Sequence, residues 1–180
     1  VEIKRNNKNI SVILYGSTVP ESAKEIAETG AIVTLHDLDS LRAFAALNFS
    51  VDAYMKVEVG LGRLGIESQH WDTALKEIRE SKALRLKGIY THLNAPENRQ
   101  WIDTQMIQYS LACEKANSAG FDDFTKMVAS SHVMIAHDDL YCDAVNPGRC
   151  LFGLLEGTWR ERLDMKPVIR KIRSQIIQVK

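Results

Sequence analysis

Apolar residues along the chain fall into short runs that switch between two periods. Ile10–Gly16, Ala31–His36, Val51–Val59, Leu84–His92, Phe124–Ser130 and Ala144–Asn146 are β-rich. Several are almost continuously apolar, the pattern of strands covered on both faces. Between them the apolar residues recur at helical spacing. Glu21–Thr29 follows Pro20 and stops at Gly30, a helix start and stop pair. Ser40–Asn48 follows Asp37-Leu38-Asp39 and aligns Leu41, Phe44 and Leu47. Ser68–Ser81 sets Trp71, Leu75 and Ile78 on one side, so these and Phe44 are read as core. Arg99–Ala119 is a long helix closing at Gly120, and a short helix is expected near His132–His137.

Six strand-like runs alternating with helical ones predict a parallel sheet with right-handed crossovers. Six βα units are too many for half of a dinucleotide-binding fold and too few for a closed barrel of eight. The predicted fold class is α/β: a partial TIM (β/α)8 barrel lacking its first strands. The chain opens on Val1 directly before a strand-like run and is read as the interior of a longer one, with two units expected ahead of it. Residues 158–180 break the pattern. A charged linker ends at Pro167, and Val168–Val179 alternates polar and apolar at period two, as the first strand of a C-terminal β domain would. The expected division is 1–157 and 158–180.

Composition narrows the classes. The 180 residues are 45% hydrophobic and 26% charged, ordinary for a globular protein. Twenty-three basic residues balance 23 acidic ones, so no basic surface argues for nucleic acid. No apolar run reaches membrane-spanning length. Cys113, Cys142 and Cys150 are odd in number and lack CxxC spacing, which reads as reduced thiols in a cytoplasmic protein. His132 and His137 are five apart, not the spacing of a helical metal pair, so no metal site is expected. Asp138 and Asp139 are adjacent and read as solvated.

The candidate chemistry lies at strand ends, the functional rim of a barrel. Lys56-Val57-Glu58-Val59-Gly60-Leu61-Gly62-Arg63-Leu64-Gly65 runs from a strand into three glycines interleaved with one arginine. The glycines allow sharp turns and close approach to a ligand, and Arg63 offers a planar fork for a carboxylate or phosphate. The same run also reads as a flexible turn with a solvated arginine. Thr91-His92-Leu93-Asn94, Ser130-Ser131-His132 and Asn146-Pro147-Gly148-Arg149 end the following strands. Ser131 with the backbone N–H groups of Gly148 and Arg149 is a candidate phosphate cradle. Singly, these are also an N-cap serine, a Pro-Gly turn and a core histidine; in order, at successive strand ends, they favour a ligand site.

These residues resemble the alanine racemase family, pyridoxal-phosphate enzymes with a barrel and a C-terminal β domain. Lys56–Gly65 is similar to its Lys-x-Asp-x-Gly-Met-Gly-Arg-Leu-Gly signature, Gly88-Ile89-Tyr90-Thr91-His92 to its Gly-hydrophobic-x-Thr-His segment, and Pro147–Gly153 to its Pro-Gly-x-x-hydrophobic-aromatic-Gly turn. The resemblance covers nearly the whole chain and makes residues 1–157 the racemase-type barrel. It implies pyridoxal 5'-phosphate as cofactor, alanine as the amino-acid substrate, a role in supplying D-alanine for the cell wall, and a homodimer. It matches Lys56 to a lysine often carbamylated in the family and Arg63 to the arginine near the cofactor's phenolic oxygen and the substrate carboxylate. His92 matches the histidine behind the pyridine-nitrogen partner, and Ser131, Gly148 and Arg149 match the phosphate anchors. Asn146 stands where the family usually has the arginine that donates to the pyridine nitrogen; its neutral amide can donate a hydrogen bond but cannot protonate the ring. The lysine and tyrosine that move protons in the family are expected outside this sequence. The alternatives are a non-catalytic pyridoxal-phosphate-binding barrel, or a degenerate racemase-like domain kept for interaction.

Overall fold

The computed structural model describes residues 9–16, 19–155, 157, 161, 163–164 and 166–168. Among the described residues five parallel strands form one sheet in chain order: β1 (Val33–Leu35), β2 (Val51–Lys56), β3 (Leu84–Tyr90), β4 (Thr125–Ser130) and β5 (Ala144–Asn146). Strands that neighbour one another in sequence also neighbour in space, which is barrel order and not doubly wound order. The predicted first strand, Ile10–Gly16, is reduced to one bridge, Ile13 to Ile32. Leu14 N–H donates to Ile32 at 2.9 Å and Ile32 N–H to Val12 at 2.8 Å, and the pairing goes no further. The period-two run Val168–Val179 lies, apart from its first residue, outside the described residues.

Each strand returns through a helix on the same face. The helices are α1 (Ala23–Glu28), α2 (Leu38–Ala45), α3 (Trp71–Glu80), α4 (Arg99–Ser118), α5 (Ser131–Ala136) and α6 (Gly148–Leu151). Asp37 caps α2: its carboxylate accepts from Ser40 N–H at 2.7 Å, and Ser40 Oγ accepts in return from Asp37 N–H, a capping box. Asn98 caps α4 by accepting from Trp101 N–H. Trp71 and Phe44 are fully buried, as their helical spacing predicts. Trp71 also donates its indole N–H to the Ile66 carbonyl at 2.7 Å, which ties α3 to the loop before it. Asp139 is exposed, as its solvated reading expects, and it also holds Arg99 by two hydrogen bonds of 3.1 and 2.8 Å. The two residues face each other across a helix–loop contact, 40 positions apart in sequence, so local spacing carries no sign of the pair.

The strands divide by parity. Val33 and Leu35, Val51, Ala53 and Met55, and Leu84, Leu86 and Ile89 join the main core under the helices. Tyr54, Tyr90 and Met127 form a separate small cluster on the opposite face, with Ile13, Ile32 and Ala144 against it. Alternation sends Thr34 and His36, and Tyr54 and Lys56, to this second face, and a one-residue slip in β3 between Leu86 and Gly88, where its register with β2 shifts, brings Gly88, Tyr90 and His92 to the same side. Gly88 is needed there: a Cβ would stand 2.5 Å from the Tyr54 ring.

Candidate functional site

Two clefts open at the carboxyl ends of the strands on that second face. The larger, about 310 Å³, lies among Lys56, Arg63, His92 and Asn146, with Tyr15, Thr34, His36 and Tyr90 around them. The smaller, about 250 Å³, lies among Ser131, Gly148 and Arg149. His92 and Asn146 belong to both linings, so the clefts share a wall. Every residue singled out from the sequence thus borders one joined hollow, although the residues come from four strand ends. No carboxylate lines either cleft among the described residues.

The electrostatics are those of crowded cations. Lys56 is 8% exposed and its ammonium stands 5.9 Å over the Tyr90 ring. Burial, and then the Arg63 charge, push its pKa down, against a smaller pull from Glu58. Burial also lowers His92, with Arg63 and Lys56 adding to it, which favours the neutral imidazole. Tyr90 is pushed up to about 12 by burial. Its hydroxyl meets Thr34 Oγ1 at 3.2 Å, and since Thr34 donates to the Leu14 carbonyl at 2.7 Å, Tyr90 is the donor. Tyr15 sits edge-on to Tyr90 at 5.1 Å between ring centroids and donates its hydroxyl to Met127 Sδ at 3.3 Å, and burial raises its pKa. These phenols stay neutral, so the net charge of the hollow is positive.

Two side-chain atoms of the hollow lack a hydrogen-bond partner among the described residues. Asn146 Oδ1 and His36 Nδ1 are buried with nothing to bond. An orphaned buried polar atom is costly, and a bound ligand is one way to satisfy it. In the smaller cleft, Ser131 is 3% exposed and its Oγ accepts from Cys150 N–H at 3.1 Å, which leaves the hydroxyl proton to donate. Gly148 and Arg149 begin α6 and line the same cleft as Ser131. Together the donors suit a polyanion carrying a phosphate and a second anionic group. A phosphorylated pyridine fits that donor set.

Tyr15, Thr34, His36 and Tyr90 also line the larger cleft, and the strand-end motifs do not mark them. The available signal was parity: in Ala31–His36 the polar residues Thr34 and His36 fall two apart within an apolar run.

Comparison with known proteins places the chain. A family model described as the N-terminal domain of alanine racemase matches residues 1–156. The alanine racemase of Geobacter sulfurreducens is 25% identical over 190 residues, covering 100% of this chain and 50% of that protein. That of Corynebacterium glutamicum strain R is 28% identical over 118 residues, covering 64% and 32%. The chain spans about half the length of the curated relatives it matches over its whole extent. Among solved structures, alanine racemase of Clostridium difficile 630 superposes with a TM-score of 0.81 at 19% identity, over 92% of this chain and 46% of that one. Alanine racemase of Bartonella henselae with covalently bound pyridoxal phosphate gives 0.68 at 19% identity, over 81% and 42%. The structural likeness shows the barrel-type fold, and the family model, matching well over half of the residues, shows the lineage: the chain belongs to the alanine racemase N-terminal-domain family.

Proposed function

We propose that the protein carrying this chain is a pyridoxal-phosphate-dependent amino-acid racemase that interconverts L- and D-alanine as a homodimer in the cytoplasm, supplying D-alanine for the cell wall. One observation carries the reading: cations and neutral donors from four strand ends border a single hollow with no carboxylate in its lining among the described residues. Ser131 and the N–H groups of Gly148 and Arg149 would hold the phosphate. Asn146, with His92 beside it, would meet the ring edge. Lys56 and Arg63 would face the phenolic oxygen and the substrate carboxylate, and Lys56 is the position that the family resemblance marks for carbamylation.

When bound, pyridoxal phosphate supplies an electron-withdrawing ring that takes up charge as the α-carbon loses its proton. The residues described here bind and orient. Arg63 gives a bidentate fork to a carboxylate. Neutral His92 can accept or donate without adding charge. Asn146 contributes a hydrogen bond and no proton. Proton transfer at the α-carbon falls to a lysine and a partner-subunit tyrosine at positions the resemblance puts outside Val1–Lys180. The 180-residue chain by itself is therefore expected to show no racemization.

The test is the full-length protein loaded with cofactor and given L-alanine, with D-alanine followed by a coupled oxidase. Racemization that falls roughly 100-fold in Arg63→Ala, the scale of one lost transition-state donor, is the expected result. Cofactor absorbance without racemization would favour the alternative of a non-catalytic binding barrel, for which Asn146 in the usual arginine position is the argument.

A further inference from the structure

The loop that carries Arg63 is closed on itself. Where β2 ends, Glu58 N–H donates to the Ile66 carbonyl at 3.0 Å, and Ile66 N–H donates to Lys56 at 2.8 Å. Residues 58–65 leave and return at one point. Within the loop Gly60, Gly62 and Gly65 take φ values of 122°, 69° and 148°, all in the left-handed region. Such a glycine-rich loop has much conformational entropy to lose on ordering. Something must hold it if Arg63 is to stand in one place.

The holder is inside the loop. Glu58 Oε1 accepts from Gly60 N–H at 2.6 Å and from Gly62 N–H at 3.0 Å. Glu58 Oε2 accepts from Arg63 N–H at 3.2 Å. Burial alone would push this carboxyl up. The N–H groups of Gly62, Gly60, Arg63 and Leu61 outweigh that and draw it down, so it is ionised at neutral pH. A floor closes the other side. A Cβ on Gly60 would stand 2.7 Å from the Trp101 ring and 3.7 Å from Gln105 Nε2, both on α4. Trp101 is itself fixed, donating its indole N–H to Asn94 Oδ1 at 2.9 Å, while Asn94 N–H donates to Gln105 Oε1 at 3.2 Å.

The geometry points to Glu58 as a positioning residue: its carboxylate gathers the N–H groups of Gly60, Gly62 and Arg63 and so fixes where the Arg63 guanidinium stands at the mouth of the larger cleft. Glu58 does not line that cleft. It acts through the backbone at Arg63. Charge-assisted bonds to three amides are the strongest means a surface loop has of choosing one conformation. The kinetic part of this role rests on the racemase reading; the ordering of the loop does not.

The test uses the full-length protein and Glu58→Gln, which keeps the side chain's size and removes its charge. Hydrogen exchange of the peptide spanning residues 58–65 is expected to quicken at least 10-fold while the thermal midpoint moves little. In the cofactor-loaded enzyme, kcat/KM for alanine is expected to fall about 10-fold. In an Arg63→Lys background the same substitution should cost less than twofold, because a residue acting through Arg63 has little left to lose. Lys56 also feels the Glu58 charge. A loss routed through Lys56 would persist in that background and overturn the proposal. Unchanged exchange in Glu58→Gln would overturn it too. A wild-type protein that binds cofactor but does not racemize would instead remove the functional reading, and the exchange result alone would then decide on Glu58.

Discussion

The two faces of the sheet are built from alternate residues of the same strands, yet they do different work. Under the helices, Leu35, Met55 and Ile89 are fully buried among Phe44, Trp71 and Ile102. On the other face, Thr34, Lys56, Tyr90 and His92 end at a hollow. The first face sets stability, because burial of large side chains against helices is worth about 1.5–3 kcal/mol each. The second gives up apolar burial to hold polar groups at the rim, and Lys56 shows the cost in its lowered pKa. Alternation, with a one-residue slip in β3, is thus the physical link between fold and function here: one residue holds the sheet to its helices, and a neighbour is free to meet a ligand.

Substitutions on each face should separate these roles. The largest effect is expected for Trp71→Ala on the helical face. It removes a fully buried ring and the bond to the Ile66 carbonyl, and should cost about 3–5 kcal/mol in a urea titration. A cost below ~1 kcal/mol would mean that this face is not what holds the protein together. Gly88→Ala on the opposite face should cost roughly 1–3 kcal/mol by overpacking against Tyr54. Tyr54→Ala in the same chain should return part of that loss, and failure to do so would place the strain elsewhere. The smallest effect concerns pH. The Glu58 carboxyl is held below its unfolded value. Its contribution to the loop is therefore complete above the ordinary glutamate range and is lost as pH falls through the folded value. Trp101 fluorescence of the wild type should converge on that of Glu58→Gln only below that range; convergence near neutral pH would contradict the assignment.

Much of this was legible in the sequence because the βα alternation and strand-end motifs are local. β2 to β5 and the helices after them fall within a few residues of the expected runs. Lys56, Arg63, His92, Ser131 and Asn146 were singled out by their place after strands. What was not legible depends on distance. Tyr15 reaches the hollow only because residues 12–14 pair beside β1. The Arg99–Asp139 pair and the Asn94–Trp101–Gln105 link join segments whose spacing in sequence says nothing of contact. Ile10–Gly16 has the composition of a strand, but composition does not supply a second neighbour, and among the described residues only the bridge from Ile13 to Ile32 forms.

Chain-order strand pairing has one more consequence. The groups around the hollow arrive on separate βα units: Lys56 with Arg63 after β2, Tyr90 with His92 at the end of β3, Ser131 after β4, and Asn146 with Gly148 and Arg149 at β5. Position 146 can therefore be rewritten without readdressing Lys56 or Ser131, much as one key on a keyboard is swapped while the rest keep their letters. Chemistry on such a scaffold changes one contact at a time.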